Sequence, residues 1–137
     1  MIHHVLQAAP GVRCFRDPTR GGISSTLNEL AEQSGVNMQV KEDSIPVHDE
    51  VRGACDMLGY DVYQVANEGK MVCVVAPEDA DAALAAMEED PHGKDAAIIG
   101  EVTEKEDDRS SRVTLETGFG STRILDTLVG EQLPRIC

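Results

Sequence analysis

The sequence contains no tryptophan, two tyrosines and two phenylalanines, so aromatics make up only 3% of its 137 residues. With hydrophobic residues at 41%, a folded interior must therefore be built from aliphatic side chains. Positive charge is also scarce: 12 Lys and Arg stand against 25 Asp and Glu, a net charge of -13. That balance repels phosphate backbones and anionic membrane surfaces, which argues against nucleic acid or a membrane as partner. No apolar run approaches a membrane span, and the opening Met1-Ile2-His3-His4 lacks the basic-then-apolar order of a signal peptide. The four cysteines, Cys14, Cys55, Cys73 and Cys137, form no C-x-x-C pair, and no Cys/His set has zinc-finger spacing. A reducing, cytoplasmic compartment is expected, with no metal site in these residues. The phosphate-binding patterns G-x-x-x-x-G-K-[ST] and G-x-G-x-x-G are both missing, and His3, His4, His48 and His92 are too scattered to suggest joint chemistry.

What is present has the length for one domain. Ile2, Val5, Leu6 and Ala9 recur at helical spacing until Pro10-Gly11, like the end of a helix begun elsewhere. A polar turn at 16–22 leads into a helix with Ile23, Leu27, Leu30, Ala31 and Ser34 on one face and Gly35 at its end. Val36, Met38 and Val40 alternate with polar residues as in a half-buried strand. Val47, Val51, Ala54, Cys55 and Leu58 form a second helical stripe closed by Gly59, which makes Cys55 a core residue. The stretch 60–65 is ambiguous. The apolar run 71–76 predicts a buried strand holding Cys73, and Pro77 opens a helix through Met87. Strands are expected over 96–102, 113–115 and 121–125, with the charged 104–109 as a solvated hairpin end and Gly118-Phe119-Gly120 as the last connection. The predicted class is α+β, a mixed β-sheet with packed helices. It divides into an inter-domain helix end or linker at 1–10, the domain at 11–126, and a mobile C-terminal tail at 127–137.

Three stretches can carry chemistry. In Asp17-Pro18-Thr19-Arg20-Gly21-Gly22, paired glycines at a helix start let backbone N–H groups converge at the positive end of the dipole, with the Arg20 fork beside them. An anion such as phosphate fits there; alternatively, Asp17 or Thr19 merely caps the turn. In Asn67-Glu68-Gly69-Lys70, Glu68 is a candidate general base on a turn beside a strand, and the alternative is a tight turn with no further role. The third is the terminus, Leu133-Pro134-Arg135-Ile136-Cys137, where Gly130 gives a flexible joint and Pro134 a stiff one. It reads either as a thiol at the tip of an arm or simply as where the chain stops. At an ordinary thiol pKa of ~8.5, Cys137 would be mostly protonated at neutral pH, so it would react where another site activates it. Prenylation does not apply, since that signal puts cysteine fourth from the end.

Taken in order, R-D-P-T-R-G-G at 16–22, A-N-E-G-K at 66–70 and L-P-R-I-C at 133–137 resemble the HypE family of hydrogenase maturation proteins, within the PurM or aminoimidazole-ribonucleotide-synthetase superfamily. The likeness runs over the whole chain but only to the C-terminal part of such proteins. It implies the C-terminal domain fold of that superfamily and, for the full-length protein, an ATP-dependent dehydratase. In that family the terminal cysteine, here Cys137, receives a carbamoyl group from a HypF-type carbamoyltransferase. Dehydration then gives a thiocyanate, the source of cyanide ligands for the iron of [NiFe]-hydrogenase, with the HypC–HypD complex as acceptor. Similarity and chemistry together make Glu68 the candidate base, with Asn67 orienting it; Thr19, Arg20, Gly21 and Gly22 would help hold phosphate or the docked tail of Pro134, Arg135 and Ile136, and Asp17 would fix that loop or aid a metal indirectly. ATP and Mg2+ would be held mostly by an N-terminal domain, which also makes the homodimer contact. Alternatives are a non-catalytic thiol carrier or docking module, and another ATP-dependent member of the superfamily. The terminal cysteine argues against the last.

Overall fold

The structure, a computed structural model, describes residues 1–105 and 110–127. In chain order the elements are α1 (Ile2–Ala8), β1 (Val12–Arg16), α2 (Gly22–Ser34), β2 (Asn37–Lys41), α3 (Asp49–Leu58), β3 (Val72–Val75), α4 (Ala80–Glu88), β4 (Gly100–Thr103), β5 (Val113–Glu116) and β6 (Thr122–Ile124). They form two compact units, Met1–Arg16 with Met71–Ile98, and Asp17–Lys70 with Ile99–Cys137.

In the first unit β1 and β3 pair antiparallel, Val12 opposite Val75 and Phe15 opposite Cys73, with an irregularity between Val12 and Cys14. Val5 and Ala9 bury against Ala83 and Ala86, with Val12, Phe15, Val75 and Met87 packed around them. Alanine at these helical positions lets α1 and α4 approach closely, which suits a chain poor in aromatics. Gly11 is needed for contact: its N–H donates to the Asp79 carboxylate at 2.6 Å, and a Cβ there would lie 2.7 Å from that of Ala76. The run 71–76, expected to be a buried strand, is half-buried at every position of β3, and among the described residues β3 pairs only with β1. A continuous apolar run is the mark of a strand covered on both faces; here Val75 of β3 packs on the buried cluster and the whole strand stays half-buried. The expected helix at Pro77 begins as a 3-10 turn, Pro77–Asp79, before α4.

The second unit carries a mixed four-stranded sheet in the order β4-β2-β5-β6. β2 is antiparallel to β4 and parallel to β5. Met38, Val40, Val113, Leu115 and Leu125 are buried, as are Leu27 and Ala31 of α2. Alternation puts Asn37, Gln39, Thr114 and Glu116 on the other face of the sheet. Polar pins tie α2 to the end of the sheet: the Ser24 hydroxyl donates to the Asp126 carbonyl, and the Asn28 amide donates to Leu125 O at 2.7 Å. The predicted hairpin through 104–109 is not formed, because β4 and β5 lie on opposite sides of β2. Met38 thus meets Val102 on one side and Val113 on the other, so both neighbours shield it. The hairpin is instead β5–β6, turned at Gly118-Phe119-Gly120 with Gly120 at φ 77°. Strand β4 starts at Gly100 rather than 96, where pairing with β2 begins at Val40.

Helix α3 departs from its predicted stripe. Only Cys55 is buried, while Leu58 is 65% and Val51 43% exposed. The ambiguous 60–65 stretch forms a 3-10 turn, Val62–Gln64, capped by the Asp61 carboxylate on the Tyr63 N–H at 3.1 Å. Gly35 and Gly59 close α2 and α3 in the left-handed conformation, as their positions predict. No helix among the described residues is long and apolar enough to cross a membrane.

Candidate functional site

Two loops of the second unit, far apart in sequence, come together. The Asn67 N–H donates to the Pro18 carbonyl at 3.2 Å, and the Thr19 hydroxyl donates to the Glu68 carboxylate at 3.5 Å. The turn carrying Glu68 is thereby laced to the loop that opens α2. Thr26, one turn inside α2, donates its hydroxyl to the Asp17 carbonyl at 3.3 Å, so Asp17 is anchored through its backbone. Asp17, Arg20, Asn67 and Glu68 are exposed, Thr19 and Gly21 half-buried, and Gly22 buried.

The glycine pair is explained by conformation and by proximity. Gly21 (φ 65°) and Gly22 (φ 63°) both sit in the left-handed region, which disfavours any residue with a Cβ. A Cβ on Gly22 would also lie 2.5 Å from the Tyr63 carbonyl oxygen and 2.7 Å from that of Val65. The helix therefore starts pressed against the backbone of the 3-10 turn. Gly21 occupies the N-cap, so neither Asp17 nor Thr19 takes that position, and no acidic side chain lies in the first turn of α2. The positive end of a 13-residue helix is left facing the loop without an acid of its own first turn. Gly69, with φ 71°, bends the chain just after Glu68.

The 3-10 turn is itself held from behind. Tyr63, 4% exposed, donates its hydroxyl to the Glu42 carboxylate at 3.2 Å. The Arg123 guanidinium lies 5.7 Å from the Tyr63 ring centre and pairs with Asp61 at 2.9 Å. Burial, and next the Glu42 carboxylate, push the Tyr63 phenol above its ordinary value. Sequence reasoning left this group out; an Asp two residues before Tyr63 is the capping signal that could have revealed the turn. Among the other candidates, Cys73 is half-buried with its thiol pushed up by burial and then by Cys14. Pro134, Arg135, Ile136 and Cys137 lie outside the described residues. Among the described residues no three His, Cys, Asp or Glu side chains gather into a possible metal site.

Comparison with known proteins places the chain in a family. Residues 1–112 match the family described as AIR synthase related protein, C-terminal domain. The chain is 52% identical over its full length to a carbamoyl dehydratase HypE of Azotobacter vinelandii, of which it spans 39%. A crystal structure of hydrogenase maturation protein HypE in complex with ATP superposes with a TM-score of 0.85 at 46% identity, over 93% of this chain and 38% of that one. A HypE–HypF complex gives a TM-score of 0.85 at 38% identity, over 93% of this chain and 40% of that one. The resemblance read from the three motifs is thus borne out along the whole chain, which spans about two fifths of the length of these relatives. The chain belongs to the AIR synthase related protein family, as its C-terminal domain.

Proposed function

We propose that this chain is the thiol-bearing C-terminal part of a HypE-type carbamoyl dehydratase, acting in the assembly of [NiFe]-hydrogenase. The observation that carries the reading is the pairing of the Glu68 turn with the glycine start of α2, in a chain 52% identical to a carbamoyl dehydratase. Cys137 would bear the carbamoyl group, delivered by a HypF-type transferase, and pass cyanide on to a HypC–HypD acceptor. Seven residues, the count from Glu131 to Cys137, can span at most on the order of 20 Å, the reach one thiol would need to visit successive sites. Tethering raises its effective concentration at each.

ATP supplies a phosphoryl group that converts the carbamoyl oxygen into a leaving group. As the carbon–oxygen bond breaks and the nitrile forms, the two N–H protons must leave, and the oxygen departs as phosphate. Glu68 would take one proton from the carbamoyl nitrogen and the departing phosphate the other, with Thr19 donating to the Glu68 carboxylate and Asn67 tied to the Pro18 carbonyl holding the turn. The α2 start, with Gly21, Gly22 and Arg20, would contact phosphate oxygens through backbone N–H groups and a guanidinium. Asp17 would shape that loop. Mg2+ and most of the nucleotide contacts, together with the homodimer contact, would lie in the part of the longer protein that this chain does not span.

Thiocyanate formation on Cys137 tests the reading in the full-length protein: Glu68→Gln is expected to abolish it while leaving carbamoylation intact. Unchanged thiocyanate formation would contradict the base assignment. A carrier role for the isolated chain is favoured by its spanning only 39% of the relative. Nucleotide binding by the chain alone, measured calorimetrically, would separate a pure carrier from a catalytic part.

A further inference from the structure

We propose that Tyr63 is a positioning residue for this site, a buried peg that presses the 3-10 turn Val62–Gln64 against the start of α2 and so sets both the glycine loop and the Glu68 turn. This rests on the function proposed above. Nothing in the reaction requires a tyrosine here, yet Tyr63 is held from three directions. Its hydroxyl donates to Glu42 at 3.2 Å, its N–H donates to Asp61 at 3.1 Å, and Arg123 covers its ring while pairing with that same Asp61. Glu42 is fixed in turn, since it also accepts the Gly118 N–H from the β5–β6 hairpin at 3.1 Å. The peg therefore refers the turn to the sheet.

The consequence appears on the far side of the same backbone. The carbonyl oxygens of Tyr63 and Val65 occupy the space a Gly22 side chain would need. Two residues past Val65, Asn67 bonds Pro18, and Glu68 follows, accepting from Thr19. A short segment thus has its side chain anchored in the unit while its backbone abuts one half of the site and its next residues form the other half. Loss of the phenol hydroxyl would free the turn without touching any group placed at the reacting atoms.

The test compares Tyr63→Phe, Glu42→Ala and Glu42→Gln in the full-length protein, by hydrogen exchange and by ATP-dependent thiocyanate formation. Tyr63→Phe is expected to speed amide exchange at 19–22 and 66–70 while the β5 strand keeps its protection. The same variant should lower kcat on the order of tenfold, as for a misplaced catalytic group, and raise KM for ATP, because the glycine loop it loosens is the one placed on phosphate. Glu42→Ala should reproduce this, and Glu42→Gln, which keeps an oxygen acceptor for the hydroxyl, should restore most of it. Wild-type exchange at 19–22 and 66–70 in both Tyr63→Phe and Glu42→Ala would overturn the proposal, as would an equal rise throughout β5 in Tyr63→Phe. If exchange rises locally but Glu68→Gln turns over normally, the positioning stands and the assignment of the base falls.

Discussion

Replacing Gly22 by alanine separates two reasons for a glycine that usually act together. Gly22 and Gly35 have nearly the same backbone, φ 63° and φ 66°, and they bracket the same helix. At Gly35 a Cβ would meet nothing within 4 Å, so Gly35→Ala carries only the left-handed strain. That strain is about 1–2 kcal/mol, partly offset by the ~0.4–1 kcal/mol that alanine gains through a less flexible unfolded chain. At Gly22 the new methyl would in addition stand 2.5 Å and 2.7 Å from two carbonyl oxygens and 2.9 Å from the carbonyl carbon of Gln64. Backbone cannot rotate aside as a flexible side chain would, so either α2 or the 3-10 turn must move, at about 1–3 kcal/mol more. The expected losses are therefore about 1 kcal/mol for Gly35→Ala and about 2–4 kcal/mol for Gly22→Ala. Urea titration followed by circular dichroism, with hydrogen exchange of α2 to locate the change, gives the comparison. Equal losses for the two variants would refute the close-approach argument.

Two further expectations concern titratable groups. Because burial and Glu42 raise the Tyr63 phenol above 10.0, the folded state holds this proton more tightly than the unfolded chain does. Its contribution is full below the unfolded value and is lost as pH rises through the folded one, so stability should fall more steeply above pH 10.0 in the native chain than in Tyr63→Phe. Parallel alkaline denaturation profiles would contradict this. Cys73, raised from 9.0 by burial and then by Cys14, should react with iodoacetamide at pH 8 more slowly in the folded chain than after unfolding in urea; equal rates would show its thiol to be open.

The helices and their ends were legible because their signals are local: Gly35 and Gly59 terminate α2 and α3 where the periodic pattern stops. What the sequence hid is long-range. Nothing local says that Met38 and Val40 belong to a strand flanked on both sides, so 104–109 looked like a hairpin between neighbours that are not neighbours. The α3 stripe read as core although Val51 and Leu58 remain substantially exposed, since periodicity marks a face without naming what covers it. In the site, residue types singled out Gly21, Gly22 and Glu68, but not that Thr19 reaches Glu68 across 49 positions of sequence. Tyr63 carried no motif at all. Its part comes from burial and from a carboxylate, Glu42, supplied by another loop.

Cys137 is the thiol we propose to carry the carbamoyl group. Intact-mass measurement and peptide mapping, after incubating the full-length protein with a HypF-type carbamoyltransferase, carbamoyl phosphate and ATP, tests it beside a Cys137→Ala control. A carbamoyl adduct on Cys137, converted with ATP to a thiocyanate and absent from the control, is the predicted result. An adduct on Cys14, Cys55 or Cys73 instead, or none on Cys137 with a transferase shown active on another HypE protein, would contradict the account.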